Sequence, residues 1–186
     1  MKPGALLLTP GAGNDASHPS LVAVEDAVDL PVARVDFPYR REGRKAPDRP
    51  PKLIACIREE AEALCERTGA KPASLVLGGR SMGGRMCSLA VAEGLPSAGL
   101  VLIAYPLHPP GKPDKLRVEH FPELDVPCLF VCGTRDPFGA PEELEHHTRA
   151  IAGPVTHHWV EGKRHDLRGA DEEIAETVVA WLGGLT

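Results

Sequence analysis

Residues 75–85 read Leu-Val-Leu-Gly-Gly-Arg-Ser-Met-Gly-Gly-Arg. A short apolar run enters a glycine-flanked serine, and beyond it Met86, Leu89 and Ala90 repeat at helical spacing. Gly79, Ser81 and Gly83 therefore fill a G-x-S-x-G pattern between a strand and a helix, the setting in which that pattern makes a nucleophile elbow. Small flanking residues are required because a side chain two positions from the serine would strike the neighbouring strand or helix. The turn lifts the serine Oγ above the sheet edge and aims the N–H of Met82, at the helix start, toward a developing oxyanion. A plain glycine turn capped by serine is the competing reading. The strand on one side and the helix on the other argue against it.

Working outward, Ala5 to Thr9, Val32 to Phe37, Ser74 to Leu77, Leu100 to Ala104 and Cys128 to Cys132 are short, largely apolar and mostly bounded by Gly or Pro. Continuous rather than alternating apolarity predicts strands covered on both faces. Thr156 to Val160 carries His157 and His158 and is expected at an edge. Between the strands, helices are expected where Leu21, Val24 and Val28 follow Pro19, where Leu53, Ile57, Ala61 and Leu64 follow Pro50-Pro51, and where Leu144 and Ile151 follow Pro141. The last helix carries Ile174, Val178, Trp181 and Leu182 and stops at Gly183-Gly184. Alternating strands and helices in one chain of 186 residues predict a single domain over residues 1–186. The expected architecture is a doubly wound, three-layer α/β/α sandwich with a six-stranded, mostly parallel sheet.

A serine needs a base, and the base needs an orienting group. Asp136 follows the Cys128 strand in Gly133-Thr-Arg-Asp136-Pro-Phe-Gly, and His165 follows the last strand in Gly162-Lys-Arg-His165-Asp166. The order Ser81, Asp136, His165, each just past a strand on one sheet edge, is that of an acyl-transfer triad on an α/β sheet. His157 and His158 in the last strand, His146 and His147 in a helix, and His108 and His120 in a Pro-rich connection lack that placement. Asp166 is expected to be solvated or to cap the final helix.

The second oxyanion donor should come from the loop after the first strand, Thr9-Pro-Gly-Ala-Gly-Asn14. Gly11 and Gly13 leave its backbone uncovered, so the N–H of Ala12 is the expected donor. The loop lacks both the G-K-[ST] ending and the G-x-G-x-x-G spacing of nucleotide-binding turns. Two segments break the alternation, Pro38 to Pro51 and Pro106 to Pro127, and both should emerge at the edge that carries Ser81. The first holds Arg40, Arg41, Arg44, Lys45 and Arg49 against Glu42 and Asp48, which predicts a local positive patch. Gly11, Tyr39 and Arg40 are the expected substrate contacts.

Composition excludes other classes. Lys plus Arg is 21 and Asp plus Glu is 26, so the net charge of -5 provides no field for nucleic acid. The longest apolar runs are about five residues, far short of the roughly 20 that cross a bilayer. Ala5 to Leu8 is too short for a secretory signal core, and five cysteines without a CxxC pair or metal spacing suit a reducing compartment. No metal site is expected, and the expected location is the cytoplasm.

The segments T-P-G-A-G-N, G-G-R-S-M-G-G-R and G-T-R-D-P-F-G together resemble the α/β-hydrolase superfamily, over nearly the whole chain from Ala5 onward. Their wording is similar to a compact branch related to dienelactone hydrolase, to the hydrolase-like domain in a subunit of the NSL histone acetyltransferase complex and to small testis-expressed relatives. The resemblance implies triad roles for Ser81, Asp136 and His165, and oxyanion roles for Ala12 and Met82. It also implies a minimal fold, without the superfamily's two leading strands or an inserted cap. The expected function is hydrolysis of a small, short-acyl ester or thioester, the missing lid speaking against long acyl chains, with no cofactor. A carboxylate-nucleophile mechanism is disfavoured by serine at position 81. The rival class is a non-catalytic interaction domain, with a protein as its partner, that retains the fold.

Overall fold

Six parallel strands form one sheet in the order β2-β1-β3-β4-β5-β6 in a computed structural model that describes residues 2–186. The strands are β1 (Ala5–Thr9), β2 (Val32–Arg34), β3 (Leu75–Arg80), β4 (Gly99–Ile103), β5 (Cys128–Gly133) and β6 (Val155–Val160). The helices are α1 (Pro19–Ala27), α2 (Pro38–Arg41), α3 (Pro50–Thr68), α4 (Met82–Ala92), α5 (Pro141–Thr148) and α6 (Asp171–Gly183). Alternate side chains of the strands enter two separate cores. Leu7, Leu77, Leu102 and Phe130 meet residues of α3, α4 and α5, whereas Leu8, Val76, Val101 and Val131 meet α1 and α6. The sheet is thus covered on both faces, and β6 lies at its edge as its histidines indicate.

Two strand boundaries differ from the sequence expectation by three residues, each because of partners distant in the chain, and the remaining boundaries agree to within one residue. β2 stops at Arg34, although apolarity continues to Phe37. The departing chain is held where the Asp36 carboxylate accepts the Ala16 N–H at 2.7 Å, and Pro38 then starts a short helix. β3 instead runs on to Arg80, because Gly78 and Gly79 pair with Leu8 and Thr9 on one side and with Val101 and Leu102 on the other. These glycines read as turn residues in the sequence; here they are central strand residues whose neighbours come too close for a side chain.

The connection from β4 to β5 contains no α-helix, only a 3₁₀ turn at Phe121–Glu123. Its buried Tyr105, Leu107, Phe121 and Leu124 cover the sheet on the face shared with α3 and α4. Tyr105 packs on Phe121 and Phe130 at ring-centroid distances of 5.5 and 5.6 Å. Aromatic packing does here what a crossover helix does elsewhere. All five cysteines are free, and burial pushes the thiols of Cys87, Cys128 and Cys132 up to about 12. No helix of the described residues is long and apolar enough to cross a membrane.

Candidate active site

Because all strands are parallel, the residues that follow β1, β3, β5 and β6 gather at one edge. Ser81, between β3 and α4, has φ 49° and ψ −116°, a conformation that non-glycine residues avoid unless their surroundings enforce it. The enforcement comes from close packing. A Cβ at Gly79 would lie 2.3 Å from Thr9 Oγ1, and one at Gly83 would lie 2.5 Å from the Pro10 carbonyl oxygen. Both flanks must be glycine for the elbow to fit against β1.

His165 Nε2 lies 2.8 Å from Ser81 Oγ, and His165 Nδ1 lies 2.8 Å from Asp136 Oδ2. The other oxygen of Asp136 accepts the Phe138 N–H at 2.8 Å, which fixes the carboxylate in its turn. Asp136 is buried, whereas the imidazole keeps one-fifth of its side-chain surface exposed, on the side of the cavity. Phe138 stacks on the imidazole with ring centroids 3.9 Å apart. Arg80 donates to the His165 carbonyl oxygen at 3.0 Å from beneath the loop. Burial lowers the pKa of Arg80, while Asp166, Asp171 and Asp136 hold it in the opposite direction.

A cavity of about 530 Å³ opens over Ser81 and His165. Gly11, Ala12 and Met82 line it. The Ala12 N–H has no hydrogen-bond partner among the described residues, and Met82, as the first residue of α4, carries one of the unpaired donors of a helix start. Both backbone donors therefore border the space beside Ser81 Oγ. The structure brings Ser81, His165, Asp136, Gly11, Ala12 and Met82 together as the sequence pattern expects.

Tyr39 and Arg40 are different. Tyr39 is fully buried beneath the 11–14 loop, and its phenol, raised in pKa by burial, lies against the Gly13 backbone. Arg40 turns to Asp15 at 3.5 Å. Neither lines the cavity over Ser81, so both are corrected as substrate contacts: helix α2 packs one inward and leaves the other to Asp15, brought there from the connection after β1. The expected positive patch is likewise reduced, because Arg41 pairs with Glu60, and Arg44 with Glu42 and Asp48 at 2.7 and 2.8 Å. Asp166 is exposed and accepts the Arg168 N–H at 3.3 Å; it does not cap α6, whose cap residue is Ala170.

Sequence reasoning missed Arg80, Arg85, Pro106, Arg117 and Phe138, all of which line the cavity. Arg80 and Arg85 stood inside the elbow segment, where period 3.6 from Ser81 could have flagged Arg85. Arg117 had no local signal.

A family model described as an alpha/beta hydrolase domain matches residues 2–178. Among solved structures, an alpha-beta serine hydrolase homologue from Coxiella burnetii superposes with a TM-score of 0.78 at 18% identity, over 96% of this chain and 85% of that one. The dienelactone hydrolase from Anabaena variabilis gives a TM-score of 0.78 at 18% identity, covering 99% of this chain and 87% of its own. A monoacylglycerol lipase from Paleococcus ferrophilus gives 0.77 at 17% identity, over 100% and 96% of the two chains.

Proposed function

The chain belongs to the alpha/beta hydrolase domain family, and from that premise we propose that it is a serine hydrolase that cleaves a small carboxylic ester or thioester. The observation that carries the reading is the unbroken relay from Ser81 Oγ through His165 to Asp136, with both contacts at 2.8 Å. The esterases and lipases among its structural neighbours support hydrolysis as the reaction class.

In this reading Ser81 Oγ attacks the acyl carbon while His165 Nε2 takes its proton. Asp136 holds the Nδ1–H tautomer and stabilises the imidazolium. The carbonyl oxygen becomes an oxyanion, which the N–H groups of Ala12 and Met82 stabilise. His165 then protonates the departing alcohol or thiol, leaving an acyl-Ser81. Water, deprotonated by the same imidazole, releases the acid and restores the serine. Every proton passes through His165. One domain carries the whole reaction.

A fluorophosphonate probe tests this directly. It should label Ser81 in native protein and lose that reactivity after heat denaturation, since only the folded relay activates the hydroxyl. Native protein that resists the probe, with the relay intact, would favour a non-catalytic interaction domain.

A further inference from the structure

The cavity over Ser81 has two unlike walls. On the His165 side the Arg80 guanidinium is buried near Asp166, Asp171 and Asp136. On the other side stand Arg85, one helical turn beyond Ser81 on α4, and Arg117, from the connection between β4 and β5. Among the described residues neither forms an ion pair. The Nε of Arg85 is buried without a hydrogen-bond partner, and Arg117 reaches only the Pro106 carbonyl oxygen, at 3.5 Å. Burial and the neighbouring Arg85 both disfavour the Arg117 charge.

Such an arrangement is costly in the protein alone, because like charges repel and partly buried guanidinium groups lose water. Unpaired arginines elsewhere, such as Arg67, Arg135 and Arg149, are exposed and carry no such cost. An anion between Arg85 and Arg117 would offset both effects, and the planar fork of each matches the oxygens of a carboxylate or phosphate.

We infer that Arg85 and Arg117 form an anion subsite of the Ser81 cavity, so that the preferred ester or thioester carries a carboxylate or phosphate group on the arm that runs past α4. The inference rests on the hydrolase reading and names the substrate class within it. The cavity size suits a small molecule whose reacting carbonyl sits at Ser81 while its charged end lies one helical turn away.

The experiment uses two readouts. The first compares kcat/KM for mono-p-nitrophenyl glutarate, its methyl-capped neutral counterpart and a phosphate-ended analogue. The second measures binding of glutarate and of inorganic phosphate by calorimetry. Wild type should prefer a charged ester by about tenfold or more, the factor expected from charged hydrogen bonds. That ratio should collapse toward one in Arg85→Gln and Arg117→Gln and be partly retained in Arg85→Lys and Arg117→Lys, which also control for misfolding. The larger of the carboxylate and phosphate ratios identifies the group. Wild type that cleaves charged and neutral esters alike and binds neither anion overturns the subsite while leaving the hydrolase reading intact. Binding of either anion that is lost in the Gln variants, with no ester cleaved, supports the subsite and sinks the hydrolase reading instead.

Discussion

The basic residues of the 38–51 segment and the two arginines beside Ser81 carry the same kind of charge in opposite settings. In the first region three arginines meet carboxylates: Arg40 with Asp15, Arg41 with Glu60, and Arg44 with Glu42 and Asp48. In the second, Arg85 and Arg117 line the same cavity, and among the described residues neither pairs with a carboxylate. A count of charges along the chain points to the first region, because five basic residues there face two acidic ones. The fold reverses the ranking by bringing Asp15 and Glu60 to the loop from distant positions while leaving Arg85 and Arg117 without an ion pair among the described residues. Local charge density in a sequence is therefore a poor guide to where an anion would bind; what counts is charge left unmatched after folding.

The contrast presupposes that the reacting atoms lie in the cavity shared with Arg85, and the largest expected effect tests that premise. Ser81→Ala should lower hydrolysis of an activated ester by roughly 10⁶-fold. Circular dichroism should stay unchanged, because the flanking glycines that shape the elbow remain. Equal turnover by wild type and variant would move the chemistry elsewhere and empty the comparison of meaning.

Asp136→Asn comes next, with a loss on the order of 10⁴-fold, since the imidazole keeps its place but loses the partner that fixes its tautomer. Measuring kcat and KM separately sharpens the point. The fall should appear in kcat, as expected of a group that acts through His165 rather than on the bound substrate.

The charge state of the Arg85 side is open to a stability measurement. His120, bonded to Ser88 at 2.8 Å, has its pKa lowered to about 4 by burial and, secondarily, by the Arg85 cation. An unfolded-state value near 6.5 means that the unfolded chain binds the proton first as pH falls. Stability contributed by neutral His120 is thus complete above about 6.5 and is lost as pH falls toward 4, by an amount on the order of 3 kcal/mol. Urea unfolding of His120→Gln should show a flatter pH dependence across that window. In Arg85→Gln the His120 resonance should titrate at higher pH than in wild type. An unmoved titration would show that the Arg85 charge is already neutralised, contrary to the comparison.

The smallest effect belongs to the loop. Replacing Arg40, Arg41 and Arg44 together by Gln should change kcat/KM for an anionic ester by less than about twofold, because exposed, locally paired charges contribute little. A tenfold loss, or a KM that rises steeply with salt only when these three are present, would restore the loop as the anion-binding region.

Much of the fold was legible because its signals are local. The continuous apolar runs gave β1 and β5 nearly to the residue, and β6 betrayed its edge position through His157 and His158. The boundaries that went astray, at Arg34 and Arg80, depend on partners far along the chain: Ala16 bonded to Asp36, and Val101 and Leu102 alongside Gly78 and Gly79. Likewise Ser81, Asp136 and His165 could be found because each sits on a short turn next to a strand, and parallel pairing sends all such turns to one edge.

What the sequence by itself determined is the alternating layer architecture and the set of residues that meet at Ser81, since periodicity and turn chemistry act within a few residues of chain. Only the tertiary structure decided that Tyr39 lies under the loop rather than in the cavity, that Phe138 stacks on His165, and that Arg117 comes to stand beside Arg85. Side-chain burial and the pairing of charges depend on which distant segments the sheet and its connections bring within a few ångströms, and no local pattern encodes that distance.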